Sequence, residues 1–173
     1  MFIFNLIKGK KPLPAPWAKY YTSKELNINI PNISMYDQVK KSALKYPKYT
    51  AYEYYGKKVN YLNFINKIDK TAHAFQTLGI GKGDIVTICL PNVPEALYSL
   101  YGLNKIGAIA NMTHPLSAEE EIKNSVLSTK SQILIMMDIF FEKIKDIIPE
   151  LNLKQIIIVS ASNSMSIPMK IGY

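Results

Sequence analysis

The chain has 173 residues, of which 48% are hydrophobic and 20% charged, a composition that excludes a disordered polymer and provides for one packed domain of ordinary size. Its net charge is +8, and all 21 basic residues are lysines. Lysine gives mobile point charges rather than the planar fork that reads phosphate and guanine edges, so the basic balance points to a solvated surface and away from nucleic acid.

The lysine clusters are small: Lys8, Lys10 and Lys11; Lys40 and Lys41; Lys57 and Lys58. The lone cysteine, Cys89, sits in an apolar run, which excludes an intrachain disulfide and a thiol-rich metal site and suits a small core residue in a reducing cytoplasm. The opening MFIFNLIKGKK places its apolar residues before its charges, the reverse of a secretion signal. No run approaches the length that spans a bilayer.

Residues 1–33 read as an irregular lead-in with Pro12, Pro14, Pro16 and Pro31, pinned to the body by Trp17, Tyr20 and Tyr21. Ser34 with Asp37 has capping-box spacing and opens a helix whose inner face is Tyr36, Val39, Ala43 and Leu44; Pro47 ends it. Residues 50–55 and 58–61 read as a hairpin about Gly56 and Lys57. A long helix follows, with an apolar stripe of Leu62, Ile65, Ile68, Ala72, Phe75 and Leu78 and a terminating Gly79.

From there short apolar runs alternate with helices. Runs at 85–90, 108–112, 133–137 and 155–159 read as strands. Between them lie a helix capped by Asn92 with Pro94 in its first turn and closed by Gly107, a helix opened by Ser117 and Glu120, and a helix over 140–148 stopped by Pro149. Continuous apolar strands separated by helices imply a parallel sheet covered on both faces, with right-handed crossovers. The fold class is therefore α/β, a mainly parallel, doubly wound sheet flanked by helices. Residues 160–166 read as a polar loop.

Several motifs are readily discounted. Gly79, Gly81 and Gly83 follow a helix and precede a strand, the opposite of a dinucleotide fingerprint, so they read as a tight turn. His73 reads as a surface residue of the long helix. His114 follows the strand at 108–112, on the edge where open α/β sheets bind ligands, and is the one ligand-side candidate. No triphosphate-binding GxxxxGK[ST], nucleophile elbow or metal-ligand spacing is present.

The stretch from Ser34 onward resembles the N-terminal region of adenylate-forming enzymes: acyl-CoA synthetases, their aryl relatives, luciferases and peptide-synthetase adenylation domains. In VNYLNFINKIDKTAHAFQTLGIGKGDIVTICLPNVPE, Tyr61 starts a helix ending in the turn from Leu78 to Asp84, followed by a strand and the Pro91, Asn92, Glu95 step. In LYGLNKIGAIANMTHPLSAEEEI, Leu103, Lys105, Gly107, Ala108, Asn111 and Pro115 match the family's second block. The resemblance implies that residues 34–173 form an incomplete N-terminal part of an AMP-binding domain. For the complete enzyme it implies ATP, Mg²⁺ and CoA, and a carboxylate that becomes acyl-AMP and then a thioester. The family's glycine-rich phosphate loop and catalytic lysine fall beyond the matched blocks, so no catalytic, cofactor-binding or metal residue carries over to this chain. The expectation is an acid–CoA ligase fragment, inactive alone and reliant on a separate chain for the rest. The alternatives are a non-catalytic interaction module or a piece of a peptide-synthetase adenylation domain.

Overall fold

The structure, a computed structural model, describes residues 15–165. The apolar N-terminal run, Pro12, Pro14 and the loop residue Ser166 lie outside the described residues. The chain divides between Asn32 and Ile33 into two compact units. In the first, Ala18–Tyr20 is a 3-10 turn and α1 (Ser23–Leu26) a single helical turn. Sequence gave an irregular lead-in here, but Thr22 and Glu25 form a reciprocal capping box, with the Thr22 backbone N–H donating to Glu25 Oε2 at 2.7 Å. Trp17, Tyr20 and Tyr21 are exposed.

The second unit opens with α2 (Met35–Lys45). The Ser34 hydroxyl accepts from Asp37 N at 3.0 Å, as the capping spacing predicts. Tyr36 and Ala43 are buried, but Leu44 is 76% exposed, because it falls about 100° around the helix from Ala43 and off the inner face. β1 (Thr50–Tyr54) pairs antiparallel with β2 (Lys57–Asn60), and Tyr54 opposite Lys57 makes Tyr55 and Gly56 the two turn residues. Both have positive φ, 46° and 74°, which suits a two-residue hairpin turn. The turn therefore lies one residue earlier than the sequence indicated.

α3 (Tyr61–Thr77) is capped by Asn60 and buries Phe64, Ile65, Ile68, Ala72 and Phe75. Leu62 and Leu78, placed on the stripe by spacing alone, are exposed at its two ends. The next segment is the expected helix-to-strand turn. Gly79 and Gly83 have φ of 82° and 88°, Ile80 between them is buried, and Gly81 N donates to Asp84 Oδ2 at 2.7 Å.

The sheet comprises β3 (Ile85–Cys89), β4 (Ile109–Met112), β5 (Ile133–Met137) and β6 (Gln155–Val159), all parallel, in the order β4-β3-β5-β6. α4 (Pro94–Ile106) connects β3 to β4, and α5 (Glu119–Thr129) connects β4 to β5. Side chains alternate along the strands. Val86, Ile88, Ile135 and Met137 pack with Phe75 of α3 and Leu103 of α4. Cys89, Leu134 and Met136 pack with Ile122 and Val126 of α5. Two helical layers thus cover opposite faces, which makes the sheet doubly wound, as its continuous apolar runs require.

Three boundaries differ from the sequence reading. Val93, not Asn92, is the N-cap of α4; its backbone is extended and Pro94 takes N1. Ala118, not Ser117, is the N-cap of α5; alanine has no capping oxygen, so only Glu121 closes the turn, accepting from Ala118 N at 3.2 Å. The helix expected over 140–148 is broken into a 3-10 turn at Asp138–Phe140, α6 (Phe141–Ile144) and a second 3-10 turn at Ile148–Glu150. Pro149, lacking an amide hydrogen, sits at the start of that last turn, where none is needed.

Candidate functional site

From β3 the chain crosses to β4 on one side, then returns past β3 to β5 on the other. In such sheets the crevice at the carboxyl ends of the two diverging strands is the natural ligand position. Residues 90–93 leave β3 here, residues 113–118 leave β4, and Asp138 follows β5 directly. An apolar cavity of about 320 Å³ opens beside Leu90, Pro91, Leu97 and Met112, walled by Tyr52 and Tyr54 of the hairpin.

The loop after β4 is held from below. Lys143 Nζ of α6 donates to Pro115 O at 3.2 Å and to Ser117 O at 2.5 Å. His114 is exposed on this loop. Its Nδ1 accepts from Leu116 N at 3.2 Å and its carbonyl from Ser117 N at 3.1 Å, so the ring caps its own turn. It borders the edge strand β4, one strand away from the β3–β5 divergence. His73 is exposed on α3, as expected. Cys89 is buried on the α5 face, and burial pushes its thiol up to about 11 against the opposing field of Lys143.

Asn111 and Lys105, matched to the family's second block, prove to be joints of the scaffold, as does Asn104 between the matched positions. Asn111 Nδ2 on β4 lies 3.0 Å from Thr87 Oγ1 of β3 and 3.0 Å from Ser125 Oγ of α5, joining two strands and a helix. Asn104 Oδ1 accepts from Tyr36 N at 2.9 Å, so α4 caps the first turn of α2. Lys105 Nζ and the Tyr36 hydroxyl both donate to Asp69 Oδ1 at 2.8 Å, linking α4, α2 and α3. Burial raises the Tyr36 pKa, and the Asp69 hydrogen bond raises it further. At Lys105 burial pulls the pKa down, but the bond to Asp69 and its charge leave it raised. Gly107 ends α4 at φ 78°.

Sequence reasoning missed two features. Ser131, 3% exposed, bridges β3 and β5, its Oγ accepting from Thr87 N at 2.9 Å and lying 2.9 Å from Ile133 O. A lone serine before a strand carries no signal of that role. Glu95, noted only as a motif match, sits in the first turn of α4, where Oε1 accepts from Ser164 Oγ at 2.5 Å. Its Oε2 is buried without a hydrogen-bond partner among the described residues. One turn along α4, the Tyr98 hydroxyl is bonded to that of Tyr52, and burial raises both phenols, with the Tyr98 bond adding to the shift at Tyr52. The apolar neighbours Val93 and Ala96 were the available hint that Glu95 faces inward.

This fold, with its carboxyl-edge crevice and motif residues as joints, defines the N-terminal layer of an adenylate-forming ligase. The profile of the family described as AMP-binding enzyme matches residues 39–170, and the chain belongs to that family. It is similar to the long-chain-fatty-acid–CoA ligase of Bacillus subtilis (strain 168), 30% identical over 159 residues, which are 91% of this chain and 28% of that enzyme. It is also similar to 4-coumarate–CoA ligase 2 of Solanum tuberosum, 35% identical over 92 residues, 53% of this chain and 17% of that enzyme. Among solved structures, a long-chain-fatty-acid-CoA ligase from Archaeoglobus fulgidus superposes with a TM-score of 0.71 at 20% identity, over 79% of this chain and 30% of that one. The N-terminal domain of FACL13 from Mycobacterium tuberculosis does so with a TM-score of 0.68 at 22% identity, over 73% and 34%. These likenesses establish the fold. The chain thus spans less than a third of the first two curated relatives.

Proposed function

We propose that this chain provides the N-terminal scaffold of an ATP-dependent acid–CoA ligase and does not activate a carboxylate alone. The observation that carries this reading is the 159-residue match to an acyl-CoA ligase, together with the role of Lys105 and Asn111 of the family's second block as structural joints. Forming an acyl adenylate requires donors around the phosphates and positive charge at the α-phosphorus. The sequence holds no glycine-rich phosphate loop. Among the described residues no group of three His, Cys, Asp or Glu side chains could hold a metal ion. These residues do not fit ATP, Mg²⁺ or CoA as a complete set, so those groups engage other segments of the ligase. His114, exposed on the loop after β4, is the side chain this reading proposes for a ligand-side role. No described helix is long and apolar enough to cross a membrane.

Reconstitution tests the reading. This chain would be co-produced with the portion of the Bacillus subtilis ligase that follows the matched stretch, and CoA thioester formation measured with a panel of carboxylates. Activity that needs both polypeptides supports the proposal; turnover by this chain alone overturns it. A second reading, a non-catalytic interaction module, is favoured by the edge strand β6, where Ile158 is 46% exposed. A partner that binds tightly with no gain of ligase activity would select it.

A further inference from the structure

Away from the carboxyl-edge cavity, β2 and the first half of α3 enclose a second cavity of about 320 Å³. Lys57 and Lys58 of β2 line it, as do Lys67 and Lys70 of α3. Asn63 and Asn66 of α3 line it as well, with Tyr98, Asn163 and Ser164 from later in the chain. No carboxylate lines it. The sequence offered Lys57 and Lys58 only as a small surface cluster; the fold brings two further lysines and the amides to the same concavity.

The positive charge here outweighs the negative charge around it. Lys58 approaches Glu53 at 3.8 Å, with both side chains more than half exposed, a contact of little strength. Lys57, Lys67 and Lys70 make no ion pair among the described residues. Lys67 and Lys70 also line an adjoining cavity that Glu95 shares, and Glu95 Oε1 there accepts from Ser164, which lines both cavities. Clustered cations in excess over their counter-charges raise the local concentration of anions, and a concave wall strengthens the field. Amide N–H groups among them add directional donors.

We propose that this cavity binds a small polyanion of the di- or triphosphate class. Lysine pairs on two separate elements suit an anion long enough to engage both, and ammonium groups contact phosphate without the fixed geometry a planar fork imposes. Asn63, Asn66, Lys67 and Lys70 lie within the first family block, but the site uses none of the positions that carry the family match there, Tyr61, the turn from Leu78 to Asp84, Pro91, Asn92 and Glu95.

The test is calorimetric titration of the full chain with sodium tripolyphosphate, inorganic phosphate and ATP, at low and at raised salt. The expected result is one saturable site per chain for tripolyphosphate, much weaker binding of inorganic phosphate, and loss of affinity as salt rises. ATP binding as tightly as tripolyphosphate identifies a nucleotide as a usable source of the polyphosphate; tripolyphosphate alone identifies the inorganic ion. The double variant K67Q/K70Q should weaken binding at least about tenfold, since it removes two charge-assisted contacts. K130Q/K154Q, with the same charge change elsewhere, should stay within about twofold of the parent. Amide chemical-shift mapping of the unmodified chain should place the perturbations on residues 57–70. An equal loss in both variants, shifts spread over the whole lysine surface, preference for anionic vesicles over tripolyphosphate, or no saturable binding would each refute the site.

Discussion

Replacing Asn111 by alanine distinguishes a scaffold joint from a ligand-binding residue. An amide NH₂ carries two hydrogens, so of the four oxygens within 3.3 Å of Asn111 Nδ2 the two at 3.0 Å, Thr87 Oγ1 and Ser125 Oγ, take the well-formed bonds. Each such bond contributes a net 0.5–1.5 kcal/mol or so, which makes the loss about 1–3 kcal/mol. Thr87 is fully buried and no water can substitute at its hydroxyl without rearrangement, which favours the upper half of that range. With a urea slope of about 2 kcal/mol/M, the unfolding midpoint should fall by roughly 0.5–1.5 M. The control is Asn92→Ala, an exposed site expected to stay within about 0.5 kcal/mol. Combining Asn111→Ala with Thr87→Val should show a coupling of about 1 kcal/mol. An Asn111→Ala midpoint indistinguishable from that of Asn92→Ala would refute the joint and return this asparagine to the ligand-facing candidates.

The remaining predictions concern packing, backbone and pH. Leu103→Ala, at a fully buried position between α4 and the sheet, should cost about 2–5 kcal/mol in chemical denaturation, against a near-neutral Leu116→Ala at an exposed one. Gly107→Ala should cost roughly 1–2 kcal/mol, because φ is +78° and the new Cβ would lie 3.1 Å from Lys82 Cγ; Gly81→Ala, with open space around it, should be neutral in the same assay. Burial raises the Cys89 thiol from 9.0 to about 11 in the folded chain, so between those values the unfolded chain has released more protons. Cys89 stabilisation is thus complete below pH 9 and declines as pH climbs to about 11, a slope that Cys89→Ala should lack when urea midpoints are compared across that window.

The sheet was legible because a parallel strand covered on both faces is a near-continuous apolar run, and residues 85–90, 133–137 and 155–159 are such runs apart from Thr87 and Gln155. The glycine turn was legible from its context, with helix before and strand after. Caps were less so. Asn92 and Ser117 are good capping residues by type, yet Val93 and Ala118 hold the extended backbone that starts each helix, since Pro94 and the Lys143 clamp on Ser117 O decide where the chain turns. Leu44, Leu62 and Leu78 show that spacing places residues near an apolar face, while neighbouring elements decide how wide that face is. The site was legible only as a location: the carboxyl edge and His114 came from strand order, while Glu95 and Ser164, separated by 69 positions, carry no sequence pattern linking them. The lysines of β2 and α3 converge only once the hairpin lies against the helix.

On this account the scaffold lacks the donor set that stabilises an acid's attack on the α-phosphate of ATP, whatever polyanion its lysine cavity holds. Pyrophosphate exchange into ATP, catalysed by the purified 173-residue chain across short-chain, long-chain and aryl carboxylates with Mg²⁺ present, measures that step directly. The account predicts no exchange above the protein-free background for any acid. Carboxylate-dependent exchange by this chain alone, surviving purification to homogeneity, would contradict it.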